Sequence, residues 1–139
     1  MAKVRDLTDQ PKNEGESEII LFIADQIDSV PQLEALLLVW NTRPAIWTPE
    51  ELGKRLYVSN ELGHDLLQEL VRKRLITSIQ GAVEGYRYES TLEEQDSLIG
   101  RLDEMYRREV VRVSNMIHAK PASALRDFAR AFRFTKEKE

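Results

Sequence analysis

The chain has 139 residues, of which 42% are hydrophobic and 32% are charged. This length and composition predict one ordinary domain with a core of its own. The absence of cysteine excludes disulfides and thiolate metal sites. No apolar run approaches the roughly 18–20 residues that a membrane span needs, so we expect a cytoplasmic protein without a membrane segment.

The formal net charge of −4 is distributed unevenly along the chain. Residues 91–139 hold ten Lys/Arg against nine Asp/Glu, so residues 1–90, by subtraction from totals of 20 and 24, hold ten against fifteen. The first part of the chain is therefore the acidic part. Because cationic side chains that neutralise phosphates supply most non-specific affinity for DNA, this distribution disfavours DNA binding by residues 1–90.

The chain is expected to begin with a flexible polar tail over residues 1–16, followed by an apolar helix over residues 18–28. Apolar residues cover nearly all sides of that helix, which predicts burial within the domain or against a partner chain. Ser29 and Pro31 predict the start of a second helix, and the sequence "NTRP" predicts its end.

Two further helices, joined by a short turn, are predicted to precede a hairpin. The sequence "TPEE" predicts a helix start, with Thr48 as the cap and an acid three residues later. Ser59 predicts the start of the next helix, which is expected to run to about residue 74. Residues 75–79 and 86–88 are predicted strands, joined by the turn "QGAVEG".

The C-terminal part is predicted to be helical. Thr91 and Glu94 form a capping-box pattern. No strong helix breaker follows until residue 119, so one continuous helix of about 28 residues, roughly 40 Å long, is predicted over residues 92–119. Pro121 is expected to end it, and residues 123–134 predict a final amphipathic helix.

The stretch "TPEELGKRLYVSNELGHDLLQELVRKRLI" resembles the motif of bacterial winged helix-turn-helix regulators. In that motif a helix of the form "xELAxxLxVS" leads into a recognition helix ending "LxxLxxxGLI", and the resemblance covers roughly residues 33–89. The flanking helices resemble the dimer layout of MarR-type regulators, and the whole layout is also typical of small bacterial winged-helix proteins. The resemblance implies a mainly α fold with a small β wing. It implies a winged helix-turn-helix domain with an N-terminal helix over residues 17–90, and long C-terminal helices forming a dimerisation segment over residues 91–139.

Four residues depart from that motif. Tyr57 and Arg74 stand where glycine is usual, Gly63 replaces a β-branched core residue, and Asp65 stands where many members carry Arg or Lys. We expect the turn at Tyr57 to accommodate a bulky side chain, and Gly63 to leave a gap or to bring another element close. The hairpin tip has no Lys or Arg.

The second helix of the motif is expected to present Asn60, Glu61, His64, Asp65 and Gln68 to solvent. Asn, Gln and His side chains bond base edges, and Glu accepts a hydrogen bond from cytosine, so this row predicts a base-reading surface positioned by nearby cations. A solvated helix explains the same row, because acids near its N-terminus and bases near its C-terminus complement the helix dipole. The candidate DNA-binding residues are Lys54, Arg55, Ser59, Asn60, Glu61, His64, Gln68, Arg72, Lys73 and Arg87.

The predicted long helix carries apolar residues at heptad-like spacing, which favours a seam between two copies of the chain. Packing of this helix on its own domain is the alternative. The candidate dimer-interface residues are Phe22, Ile23, Leu92, Ile99, Leu102, Tyr106 and Val113.

Catalysis has little support in the sequence. His64 and His118 have no partners at metal-ligand spacing, and there is no phosphate-binding glycine loop or nucleophile motif. We therefore expect no enzyme activity, no metal and no cofactor. The predicted function is a non-catalytic winged-helix protein of transcription-regulator type, a homodimer that binds DNA weakly or with a partner. The alternative is a winged-helix protein–protein interaction module that does not bind DNA, which exposure of Leu62 and Leu66 would favour.

Overall fold

The structure, a computed structural model, describes residues 14–81, 83–90 and 92–119. It is mainly helical, with one small antiparallel sheet, as the sequence predicted. The elements in chain order are α1 (Glu14–Gln26), α2 (Val30–Asn41), α3 (Pro49–Leu56), α4 (Asn60–Arg72), β1 (Thr77–Ile79), β2 (Gly85–Arg87), α5 (Glu93–Arg108) and α6 (Val110–Ala119).

Helix α1 begins at Glu14, inside the segment for which the sequence predicted a flexible tail. Glu16 is buried, and its carboxylate accepts hydrogen bonds of 3.0 and 3.1 Å from the Arg112 guanidinium of α6. This ion pair joins the two ends of the described chain, so residues 14–16 belong to the folded domain. Residues 1–13, the rest of the predicted tail, lie outside the described residues.

Three predicted helix starts are confirmed by their caps. Ser29 Oγ accepts a hydrogen bond from the Gln32 amide at 3.2 Å, and Ser59 Oγ accepts one from the Leu62 amide at 3.0 Å. Thr48 and Glu51 form the predicted capping box, with reciprocal bonds of 3.1 and 3.2 Å. Such caps satisfy amides that have no partner inside the helix.

Helices α3 and α4 form the helix-turn-helix and pack unusually closely. A Cβ placed on Gly63 of α4 would lie 2.6 Å from the carbonyl oxygen of Pro49 in α3. Of the two outcomes considered for Gly63, the close approach of another element is therefore the correct one. The side chains of Leu52, Leu67 and Leu70 are fully buried beneath this contact.

Strands β1 and β2 form the wing, with Thr77 opposite Arg87 and Ile79 opposite Gly85. Trp47 adds a bridge to this sheet through two backbone hydrogen bonds with Tyr86, of 2.7 and 2.8 Å. The first strand is shorter than the predicted 75–79, since residues 75 and 76 are buried before β1 begins, and the second has the predicted length but begins one residue earlier.

The prediction of one continuous helix over residues 92–119 is wrong. The helix breaks at Glu109, whose backbone lies at φ −131° and ψ 56°. The Glu109 carboxylate lies 3.1 Å from the Arg112 guanidinium, which also binds Glu16. After the break, α6 packs against α1 and α5 and buries Val113 and Ile117.

Only some of the features predicted for the C-terminal part fall on described residues. The predicted cap Thr91 and the predicted helix over residues 123–134 lie outside the described residues. Leu92 stands before α5 without a side-chain cap of its own, and its amide donates to Ser90 Oγ at 3.0 Å. Among the described residues, no helix is both long enough and apolar enough to cross a membrane.

The residues expected to form a dimer seam lie mostly inside the chain's own core. Ile23, Ile99, Leu102 and Val113 are buried within the single chain, so their side chains are not presented to a second copy. Phe22 and Tyr106 are half-buried against the same core, and Tyr106 donates a 2.8 Å hydrogen bond to Glu34. Leu92 alone of the seven is exposed, at 62%.

Candidate functional site

The exposed side of α4 carries a row of polar side chains. Asn60, Glu61, Asp65 and Gln68 are exposed, as the helical spacing predicted, whereas His64, also predicted to face solvent, is half-buried. The opposite side of the helix buries Leu66, Leu67 and Leu70 against the core, whereas Leu62 is exposed. The amphipathic pattern of the sequence therefore determines which residues face solvent.

A chain of polar contacts joins α4 to the wing. Gln68 Nε2 donates to the Tyr86 hydroxyl at 2.7 Å, and that hydroxyl donates to the Glu84 carboxylate. Glu84 in turn lies 3.1 Å from Nε2 of His64. Burial, reinforced by the hydrogen bond to Glu84, raises the pKa of Tyr86 to about 12. The phenol thus stays a neutral donor, and it holds the Glu84 carboxylate beside α4.

A cleft of about 460 Å³ opens between α3, the N-terminal half of α4 and the wing. Four carboxylates line it, and His64 is the only basic side chain among the described residues that do so. Such a surface repels phosphates, because like charges in a confined cleft reinforce one another. The four acidic residues are Glu50, Glu61, Asp65 and Glu84.

Exposed cations flank the acidic cleft. Lys54 of α3 lies 3.6 Å from Glu50 in a solvent-exposed pair, which contributes little free energy. The Arg55 guanidinium lies 5.8 Å from the centre of the Trp47 ring. Arg72, at the end of α4, donates a 2.6 Å hydrogen bond to Glu69. These three cations remain accessible to an anionic partner.

Three solved structures are similar to this chain. A MarR family protein from Bacillus stearothermophilus is 19% identical, with 89% of this chain and 84% of that chain covered at a TM-score of 0.48. The adhesin competence repressor AdcR of Streptococcus pyogenes is 18% identical, with 88% and 91% covered at a TM-score of 0.47. MepR, a transcription regulator of the Staphylococcus aureus multidrug efflux pump MepA, is 15% identical, with 90% and 89% covered at a TM-score of 0.51. The chain has a MarR-like winged-helix fold.

At such identities the likeness concerns the fold alone, since one fold hosts many functions. No protein-family model matches the chain, and a search of curated proteins finds no similar sequence. The binding partner of this chain therefore depends on its own surface side chains.

Lys73 was predicted to contact DNA, and the structure corrects this. Its side chain is only 11% exposed, and its ammonium donates to the Gln26 carbonyl, to Asp28 at 2.9 Å and to Gln32 Oε1 at 3.0 Å. These acceptors lie where α1 ends and α2 begins. Lys73 therefore links the end of α4 to these two helices and stabilises the fold. The acceptors of Lys73 lie more than 40 positions away in the sequence, so no local pattern revealed them. For this reason Lys73 was predicted to be a surface cation.

Two other candidates have local partners. The Ser59 hydroxyl caps α4, so its acceptor capacity is partly used within the protein. Arg87 is half-buried in β2 and lies 3.6 Å from Glu89. Neither residue projects from the MarR-like fold as freely as Lys54 or Arg72 does.

Glu84 and Tyr86 were not among the site residues predicted from the sequence. The sequence does place an acid and an aromatic residue in the predicted hairpin, and the tip of this hairpin has no Lys or Arg. Sequence alone could not tell which face of the hairpin meets α4. Within residues 14–81, 83–90 and 92–119, no group of three or more His, Cys, Asp or Glu side chains is placed to hold a metal ion.

Proposed function

We propose that the chain is a non-catalytic winged-helix protein of transcription-regulator type, which binds duplex DNA weakly through α4. The observation that carries this proposal is the row formed by exposed Asn60 and Gln68 and half-buried His64 on the second helix of the helix-turn-helix. Such side chains bond base edges in the major groove, and the N-terminal part of this helix is the part that enters the groove in helix-turn-helix proteins.

Weak binding follows from the charges around that row. Glu61 and Asp65 near the start of α4 repel phosphates, and this repulsion must be offset by Lys54, Arg55 and Arg72. Three phosphate contacts per chain correspond to about six in a dimer. Six contacts predict that affinity falls about a thousandfold between about 50 and 200 mM salt.

A homodimer belongs to this proposal, because two motif helices about 34 Å apart are needed to contact successive turns of the major groove. The proposed contact surface is the exposed apolar part of the flanking helices. It includes Leu21 of α1, 64% exposed, and Val111 of α6, 68% exposed. Light scattering should show a dimer at micromolar concentration, and Val111→Glu should shift it towards monomer. A monomeric natural chain would contradict the dimer.

A protein partner with a basic surface is the second candidate. The four carboxylates of the cleft favour it, because they attract a basic surface as strongly as they repel phosphate. Two exposed apolar side chains, Leu62 on the motif helix and Val83 in the wing turn, also favour a protein partner, since such groups contribute more to protein contacts than to DNA contacts.

Titration with duplex DNA separates the two candidates. The test variant is Glu61→Gln with Asp65→Asn, and the matched control is Asp25→Asn with Glu104→Gln, two exposed acids on α1 and α5. Both variants raise the net charge by two. If α4 meets DNA, the cleft variant binds more tightly than the control at low and high salt.

Equal affinities of the two variants would mean that any DNA contact lies elsewhere on the protein. Absence of binding by all three proteins would refute the DNA proposal and leave the protein partner. In that case the cleft variant, and not the control, should lose affinity for a basic partner protein. Tight, salt-insensitive DNA binding by the natural chain would contradict the electrostatic argument itself.

A further inference from the structure

The contact between His64 and Glu84 is the place where α4 meets the wing turn. Nε2 of His64 lies 3.1 Å from Oε2 of Glu84, and both side chains are about half exposed. The Glu84 carboxylate also accepts a hydrogen bond from Tyr86, which is held by Gln68 of α4. The position of the wing turn on α4 therefore depends on how these two polar groups meet.

Among the described residues that line the cleft, every charged group around His64 is a carboxylate. Glu50 comes from α3, Glu61 and Asp65 from α4, and Glu84 from the wing. Asp65 lies 3.8 Å from Nδ1, so acids flank both ring nitrogens. The other described residues that line the cleft are uncharged: Thr48, Pro49, Asn60 and Val83.

Histidine is the side chain whose charge ordinarily changes between about pH 5 and 8. A neutral imidazole makes at most a hydrogen bond to Glu84, whereas an imidazolium makes an ion pair with it. The imidazolium also removes one unit of negative charge from the centre of the cleft. Protonation thus changes both the geometry and the electrostatics of the same surface.

We propose that His64 is a pH-dependent switch, which on protonation binds the wing turn to α4 through Glu84 and makes the cleft less acidic. This inference rests on the proposed function in one respect, since it assigns regulation to the surface that meets the partner. Affinity for DNA then rises as the pH falls, and affinity for a basic protein falls. For a partly exposed pair the change is about two- to fivefold.

A titration by NMR tests the switch without any partner. The chain has two histidines, so the imidazole signals of His64 and the exposed His118 can be assigned from single variants. In the natural chain the backbone amides of Val83, Glu84 and Gly85 should shift with the same midpoint as the His64 ring. His64→Gln and Glu84→Gln should each abolish that shift, and His118→Gln should preserve it.

Wing amides that do not follow His64, or that titrate unchanged in His64→Gln, would overturn the switch. A binding measurement then tests its consequence. Between about pH 8 and pH 6, the natural chain and His118→Gln should gain two- to fivefold in affinity for duplex DNA, and His64→Gln should not. Absence of DNA binding would refute the proposed function alone, because the NMR result decides the switch independently.

Discussion

The ammonium of Lys73 lies 2.9 Å from the Asp28 carboxylate, and this contact joins the end of α4 to the turn between α1 and α2. Gln32 Oε1 accepts from the same ammonium at 3.0 Å, and it also accepts from the Asp28 amide at 2.9 Å. The motif helix is thereby held to the two helices that precede it. A cation that resembles a DNA contact in the sequence is a structural residue in the fold.

Lys73→Met should lower the free energy of unfolding by about 1–3 kcal/mol. The substitution keeps the length of the side chain but removes the donor that Asp28 and Gln32 share. Arg72→Met is the control, because Arg72 is exposed and its loss should leave stability nearly unchanged. Urea denaturation measures both values. Equal stabilities of the two variants would contradict a structural role for Lys73.

Gly63→Ala should destabilise the helix-turn-helix by about 1–3 kcal/mol, although alanine is the better helix former. The new methyl group would lie 2.6 Å from the Pro49 carbonyl oxygen, so α3 and α4 must move apart. The control is Gly81→Ala, where the nearest heavy atom would lie 3.9 Å away. The control should change stability by no more than about 0.5 kcal/mol. A neutral Gly63→Ala would show that the two helices are not in close contact.

Tyr57→Gly should raise the free energy of unfolding by about 1 kcal/mol. Tyr57 lies at φ 62° and ψ 42°, in the left-handed region that glycine occupies without steric cost, and its side chain is 94% exposed. Removal of the ring therefore costs little packing. Tyr57→Phe, which keeps the backbone strain, should leave stability unchanged. Destabilisation by Tyr57→Gly would indicate that the ring packs on the turn after all.

Two tyrosines whose pKa values are raised in the folded protein should make the fold sensitive to alkali. Burial, followed by the hydrogen bond to Glu34, raises the pKa of Tyr106 to about 12, and burial also raises that of Tyr86 to about 12. A raised pKa in the folded state means that the folded chain holds these protons more tightly than the unfolded chain. Their contribution to stability is therefore complete below about pH 10 and is lost as the pH rises through about 12.

The measurement is the free energy of unfolding across that alkaline range, with tyrosinate absorbance recorded in parallel. Tyr106→Phe should flatten the loss of stability with rising pH, because the phenol that ionises is gone. Tyr57→Phe, which removes an exposed phenol, serves as the control and should not flatten it. Identical pH profiles for the three proteins would show that buried tyrosine ionisation does not drive the transition.

Local chemistry in the sequence determined most of the architecture. The caps at Ser29, Thr48 and Ser59 each use an amide three residues away, so the residues that make them are visible in one short stretch. The periodic leucines of α4 likewise determine which of its sides is buried. For this reason the order of elements, the helix-turn-helix and the exposed row on α4 could all be predicted.

Contacts between distant residues were decided only by the tertiary structure. Lys73 meets an acid 45 positions away, and Arg112 meets one 96 positions away, beside the break at Glu109. The same packing buries Ile99 and Val113 within one chain, although their spacing fits a seam between two. It also brings Glu84 of the wing to His64 of α4. The sequence contains these charges and apolar groups, but their partners depend on how the helices cross, because burial and pairing are properties of the assembled elements rather than of any one segment.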